Sequence, residues 1–160
     1  MTTAYIGVGS NIEPHRHIRK ALELLSQRFG EIEVSPMYAC PAVGFSGAEF
    51  INLVVGFSTD LELTAVLSGL HDIEAQCGRV RGESTSSRTM DLDLLLFGEQ
   101  VIDEGKLKLP RDDILRYAFV LKPLADIAGD ACHPVDGRSY NQLWQAFSET
   151  GQPLNEVTFD

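Results

Sequence analysis

The sequence predicts an α+β fold: a ferredoxin-like βαββαβ antiparallel sheet with helices packed on it, followed by a C-terminal hairpin and helix extension. Three observations carry this. Ile51, Leu53, Val55 and Phe57 alternate along the chain, the period of a strand with one buried face. Two apolar stripes have helical spacing, one over Ile18, Leu22, Leu25 and Phe29, the other over Leu63, Val66, Leu67, Leu70, Ile73 and Cys77. The elements follow one another as strand, helix, strand, strand, helix, strand.

The first strand covers Thr3 to Val8 and ends in a turn at Gly9-Ser10-Asn11. Pro14 suits the first turn of the helix that follows, and Gly30 stops it. Ile32 to Tyr38 reads as the second strand, and Pro41 to Glu49 as a loop. After the third strand, Thr59-Asp60-Leu61-Glu62 has the spacing of a capping box. Gly82 to Ser87 is a polar loop, and Thr89 to Phe97 the fourth strand. Val101-Ile102 and Leu107 to Leu109 form a hairpin. Asp113 to Ala128 is helical in part, with an interruption expected at Pro123, and Tyr140 to Phe147 forms a last short helix. The segment after Gly151 carries no clear signal.

With 160 residues the chain is expected to be a single domain over 1–160. No apolar run approaches the roughly 20 residues of a membrane span. The opening MTTAYIGVGSN has no basic stretch before an apolar one, so no signal peptide and a cytoplasmic location are expected. Cys40, Cys77 and Cys132 are odd in number and include no CxxC pair, which points to free thiols rather than zinc. A formal charge of -10 argues against nucleic acid and anionic membranes as partners. A nucleotide remains possible, because phosphates need only a local cluster of arginines.

Such a cluster surrounds the most informative stretch. In Met90-Asp91-Leu92-Asp93-Leu94-Leu95-Leu96-Phe97, alternation sends Met90, Leu92, Leu94 and Leu96 to one face. Asp91 and Asp93 go to the other, roughly 7 Å apart along the backbone. Two readings fit: a solvated outer face, or a pair that holds a divalent cation and so relieves its own repulsion. Arg79, Arg81 and Arg88 lie just before the pair, and Arg111 and Arg116 soon after it. Guanidinium groups give phosphate charge-assisted, bidentate hydrogen bonds. Carboxylates for a metal beside arginines for phosphates match the needs of phosphoryl transfer, whose catalysis is mostly positioning and charge neutralisation. His15, His17, His71 and His133 are dispersed, and none is placed as an obligatory base.

Gly78-Arg79-Val80-Arg81, followed by Arg88-Thr89-Met90-Asp91-Leu92-Asp93-Leu94-Leu95-Leu96-Phe97-Gly98, resembles the signature of the hydroxymethyldihydropterin pyrophosphokinases. Tyr5 to Asn11 resembles that family's opening strand and turn. Tyr38 to Gly44 and Phe50-Ile51-Asn52 resemble its pterin-side segments. Ala118 to Leu121 with Pro123-Leu124 resembles its late helix.

The resemblance implies that Asp91 and Asp93 hold two magnesium ions bridging the phosphates of ATP, the co-substrate. It assigns Arg79, Arg81, Arg88 and Asp93 to catalysis. Glu74, Arg79, Arg88, Leu94, Arg111 and Arg116 fall to the nucleotide. A hydroxymethyl pterin falls to Cys40, Pro41, Val43, Phe50, Asn52 and Phe119, with the two phenylalanines sandwiching the ring. The implied reaction passes pyrophosphate from ATP to the pterin hydroxymethyl group and releases AMP, in a monomer or weak dimer.

Three positions depart from the family pattern. The 82–87 loop lacks the family's tryptophan, Arg111 stands where a histidine is common, and Tyr117 stands in place of an arginine. A paralogue that binds pterin or nucleotide but transfers weakly is the alternative this leaves.

Overall fold

The computed structural model describes residues 1–40, 49–78, 90–147 and 152–159. Its elements are helices and antiparallel strands. β1 (Thr2–Ser10) leads into α1 (Pro14–Phe29), then β2 (Glu33–Val34), β3 (Met37–Cys40) and β4 (Phe50–Thr59). α2 (Leu63–Gln76) and β5 (Asp91–Phe97) follow, then a separate hairpin of β6 (Ile102–Glu104) and β7 (Leu107–Leu109). α3 (Asp113–Arg116), α4 (Ala118–Ala128), α5 (Tyr140–Phe147) and β8 (Asn155–Val157) complete the order. The main sheet runs β5-β1-β4-β3-β8, with β2 also paired to β4.

β1 sits inside the sheet and is hydrogen-bonded on both sides, so its two faces meet two different layers. Ala4, Ile6 and Val8 join Leu53, Val55, Met90 and Leu92 in a core closed by Ile18 and Leu25 of α1 and by Val66, Leu70 and Ile73 of α2. The other face carries Val54, Leu95 and Leu96 under Leu121 and Leu124 of α4 and Leu143 of α5. Each fully buried aliphatic side chain here is worth about 1.5–3 kcal/mol against exposure. The sheet is therefore covered on both faces.

Several details differ from the sequence reading. β1 continues through Gly9 and Ser10 instead of turning there, because both residues still pair with Asn52 and Ile51 of β4. The second strand is split. Ser35-Pro36 interrupts it, and Ser35 bonds β4 through its own amide to the Val54 carbonyl at 2.9 Å and through Oγ from the Val54 amide at 2.8 Å. The Thr59–Glu62 capping box does not form. Thr59 ends β4 and its Oγ1 accepts from the Leu61 amide at 3.0 Å, while Glu62 occupies the N-cap of α2 without a side-chain cap.

The late helix breaks at Tyr117, whose φ of -124° and ψ of 127° are extended, and Pro123 lies within α4. Leu96 joins the second core instead of the first. The register between β1 and β5 slips after Tyr5, so that Tyr5 faces Leu96 and Ile6 faces Leu94. That bulge inserts Leu95 and reverses the alternation beyond it. The unassigned final segment forms β8, which pairs with β3 from Met37↔Val157 to Ala39↔Asn155.

Between α4 and α5 the chain is organised by His133, which is 4% exposed. Its Nδ1 accepts the amides of Val135 at 3.2 Å and Asp136 at 2.9 Å, a role only the neutral ring can play. Burial lowers its pKa below the ordinary 6.5, opposed by Asp136. With a lowered folded-state value, the unfolded chain takes up the proton first as pH falls. This residue's contribution is thus intact above about 6.5 and declines below it. Melting temperature should fall between pH 7 and pH 5, above the range where most carboxylates titrate. H133N, which keeps an acceptor but does not titrate, should flatten that slope in thermal melts followed by circular dichroism.

Candidate active site

The second face of the sheet has a gap at its centre. Beyond Tyr5, the β1 residues on that face are Gly7 and Gly9, which offer no side chain. Gly9 is flanked by Asn52 on β4 and Asp91 on β5, and Gly7 by Val54 and Asp93. Two cross-strand rows, Asn52–Gly9–Asp91 and Val54–Gly7–Asp93, thus form a floor with glycine in the middle. Above it lies a cavity of about 250 Å³, walled by Cys40, Phe50, Leu95, Arg111, Asp113, Phe119 and Val120. A Cβ on Gly9 would stand 2.6 Å from Asn52 Oδ1, closer than side chains tolerate, so this strand position excludes any larger residue unless Asn52 moves.

One end of the cavity suits a flat polar ligand. Asn52 is 9% exposed, and its Nδ2 donates to Cys40 Sγ at 3.2 Å, which fixes the plane of the amide. Burial pushes the Cys40 thiol up to about 11, with Glu49 adding to the rise and the Asn52 contact opposing it. Phe50 and Phe119 both line this space, and Phe119 stacks on Tyr117 with ring centroids 4.9 Å apart.

The other end is ionic. Asp91 and Asp93 face the cavity while Leu92 and Leu94 are buried in the core behind. Arg111 reaches the same end. Its backbone amide donates to the Leu95 carbonyl at the bulge, at 3.0 Å. Its Nη2 lies 3.6 Å from Asp93 Oδ1, and its Nε donates to Asp113 Oδ2 at 3.1 Å. Burial works to lower its pKa, but Asp93, Asp113 and Asp91 outweigh that and raise it, so the guanidinium stays charged. Two carboxylates on one face, open to a cavity with room for further oxygen ligands, fit magnesium. Among the described residues no group of three His, Cys, Asp or Glu side chains is arranged to hold a metal. An ion here would need water or phosphate oxygens to complete its shell.

The structure brings Asp91, Asp93, Arg111, Cys40, Phe50, Asn52 and Phe119 together around one cavity. Three other expected site residues stand elsewhere. Leu94 is 5% exposed, with its side chain in the core on the far face, because its strand parity opposes that of Asp93. Glu74 is buried against the outer edge of β5, where its Oε2 accepts the Leu92 amide at 2.9 Å. The edge strand's unpaired donor explains that placement. Arg116 is exposed at the end of α3, outside the cavity lining. Pro41, Val43, Arg79, Arg81, Arg88 and the 82–87 loop lie outside the described residues. The sequence reading missed Gly7, Gly9 and Asp113. The signals were a Gly-x-Gly pair at strand spacing and an acid two places after Arg111.

Residues 5–129 match the model of a protein family described as 7,8-dihydro-6-hydroxymethylpterin-pyrophosphokinase (HPPK). The chain belongs to this family. A 2-amino-4-hydroxy-6-hydroxymethyldihydropteridine pyrophosphokinase from Pseudomonas aeruginosa is 41% identical over 147 residues, covering 89% of this chain and 90% of that protein. The Haemophilus influenzae protein of the same name is 35% identical, covering 84% of this chain and 86% of its own length. A crystal structure of Plasmodium falciparum HPPK-DHPS superposes with a TM-score of 0.73 at 14% identity, covering 93% of this chain but 44% of that one. This chain thus spans less than half of that longer protein, and at such identity the likeness shows the fold alone.

The burial pattern around the HPPK-family cavity makes a prediction for thiol chemistry. Cys132 is exposed, whereas Cys40 and Cys77 are buried with raised pKa values, each chiefly through burial. Thiolate is the reacting form. Ellman's reagent at pH 8 should therefore titrate one thiol quickly and two slowly. Peptide mass spectrometry should place the fast label on Cys132.

Proposed function

We propose that this cavity is the active site in which a pyrophosphoryl group passes from ATP to the hydroxymethyl group of 6-hydroxymethyl-7,8-dihydropterin, with release of AMP, a step of folate biosynthesis. The chain is an ATP-dependent diphosphotransferase of the HPPK family. The observation that carries the site assignment is the shared cavity: a buried amide and two phenylalanines line the same space as a pair of carboxylates beside a guanidinium. The strand order β5-β1-β4-β3 supports a ferredoxin-like reading of the core. One domain over 1–160, a monomer or weak dimer and a cytoplasmic location complete the proposal. No helix among the described residues is long and apolar enough to cross a membrane.

In this reading the pterin lies over Gly9 between Phe50 and Phe119, where flat rings stack favourably. Asn52, already fixed by Cys40, meets the hydrogen-bonding edge of the ring. The hydroxymethyl group then points along the floor towards Asp91 and Asp93. Its oxygen forms a bond to the β-phosphorus of ATP as the bond from that phosphorus to the oxygen of AMP breaks, and the hydroxyl proton passes to Asp93 or to solvent. Arg111, held through Nε by Asp113, turns its terminal nitrogens to the phosphates and balances charge that spreads onto their oxygens. Arg79, Arg81 and Arg88 are proposed to add further cations. Magnesium, held by Asp91 and Asp93, would supply charge neutralisation at the bridging phosphates. The sheet floor and α4 exclude water from the pterin end.

The direct test is AMP release on mixing the protein with ATP, magnesium and the pterin. D91A and D93A should each abolish it while leaving circular dichroism and melting unchanged. Near-normal turnover by either variant refutes the metal assignment.

N52A should weaken pterin binding by about 1–3 kcal/mol, the range for leaving a buried polar partner unmet. G9A should do so by a different route, since its added methyl displaces the Asn52 amide. Calorimetry with the pterin should show both losses, and an unchanged G9A affinity would remove the glycine floor from the site.

A further inference from the structure

The junction between α3 and α4 has no cap of its own. Arg116 ends α3 with a carbonyl that the helix does not satisfy, and Ala118 opens α4 with an amide that has no partner in the preceding turn. Tyr117 stands between them as N-cap in extended conformation, without a side-chain cap. Gln152, more than thirty positions along the chain, satisfies both groups with one primary amide. Its Oε1 accepts the Ala118 amide at 2.9 Å, and its Nε2 donates to the Arg116 carbonyl at 3.0 Å.

The rest of the arm ties this bracket to the remainder of the fold. Beyond Gln152 the chain forms β8 along the outer edge of β3, the strand that carries Cys40. It ends with Phe159 beneath the Arg19 guanidinium of α1, 4.6 Å from the ring centroid, and edge-on to His15. A single segment therefore joins the elbow above the cavity to the strand beside its floor. The residues at the elbow are those of the aromatic wall: Tyr117 stacks on Phe119, and Phe119 lines the cavity.

We infer that Gln152 is a positioning residue for the pterin, and that the C-terminal arm is the clasp through which it sets the distance between the Phe119 wall and the glycine floor. This rests on the pterin reading of the cavity. Gln152 touches neither substrate. It acts by holding the first turn of α4 closed, so that Phe119 meets the ring without first having to be ordered. The acid pair is anchored separately on β5, and Arg111 is anchored through its amide at the Leu95 carbonyl and through Asp113 at the start of α3, the end away from the bracket.

The test compares full-length wild type, Q152A and Q152E in steady-state AMP release with both substrates varied. Q152A should raise the pterin KM about fivefold, the size of effect expected for a lost helix cap, with the ATP KM and kcat within twofold of wild type. Q152E keeps the acceptor for Ala118 but has no proton for Arg116, so its pterin KM should fall between the two. Hydrogen exchange over 117–121 should accelerate in the same order while β1 stays protected. A pterin KM unchanged in Q152A overturns the inference, as does a parallel loss in kcat and both KM values. If Q152A does not fold, Q152E decides by the same criteria. Wild-type protein that binds no pterin would overturn the functional reading together with the inference, whereas normal wild-type binding with an indifferent Q152A overturns the inference alone.

Discussion

The site depends on what the central strand leaves out. β1 is paired on both sides from Ala4 to Gly9, and its inward residues Ala4, Ile6 and Val8 are fully committed to the first core. On its other face a side chain at position 7 or 9 would occupy the space between the sheet and α4. Glycine at both positions keeps that space open, and the ladder pairs on either side still fix the neighbours. Asn52 and Asp91 are then held at opposite ends of one row by backbone hydrogen bonds, not by flexible loops. A pocket built on a ladder is rigid before any ligand arrives, and the geometry of a two-substrate reaction benefits from that.

The bulge at Leu95 is the second device, and it works on the strand that carries the acids. A strictly alternating β5 would place Leu96 in the same core as Met90, Leu92 and Leu94, and would send Phe97 to the other face. The slip between Tyr5 and Ile6 instead turns Leu96 over to join Leu95 and keeps Phe97 in the first core. Leu95 and Leu96 then seal the second core beneath α4 and α5. The same irregularity leaves the Leu95 carbonyl available to the Arg111 amide, so the turn that delivers the guanidinium is anchored where the acid pair ends.

Much of this was legible in the sequence, and the unread parts share a cause. Alternation in β4, the stripes of α1 and α2, the hairpin and α5 are local patterns, and each is found where its period placed it. The shared face of Asp91 and Asp93 followed from strand parity alone. What the sequence concealed depends on pairing between distant segments. Leu96 turns over because β1 slips against β5, an event with no mark in either strand by itself. β8 forms because the edge of β3 was open, not because Asn155-Glu156-Val157 has strong strand propensity. The late helix breaks at Tyr117, where Gln152 satisfies the exposed ends, while Pro123 is tolerated inside a helix held down by Leu121 and Leu124. Glu74 was assigned to the nucleotide by resemblance alone, and nothing in the sequence marks the edge-strand amide that its Oε2 accepts.

Electrostatics sets the order in which such a site can fill. Among its described lining residues three carboxylates, Asp91, Asp93 and Asp113, face a single guanidinium, Arg111. That guanidinium is already engaged by two of them. The chain's formal charge of -10 adds to the excess at long range. A free nucleotide triphosphate placed as proposed would therefore meet repulsion at that end of the cavity, and the closeness of the acids makes the repulsion less screened than between surface charges. Compensating positive charge has to come in with the phosphates or be supplied by the arginines of the 79–88 segment. A neutral pterin placed as proposed would meet no such barrier at Asn52 and Cys40. The two ends differ in kind. On the proposed reading, packing alone forms the pterin end, whereas cations and phosphates together complete the ionic one.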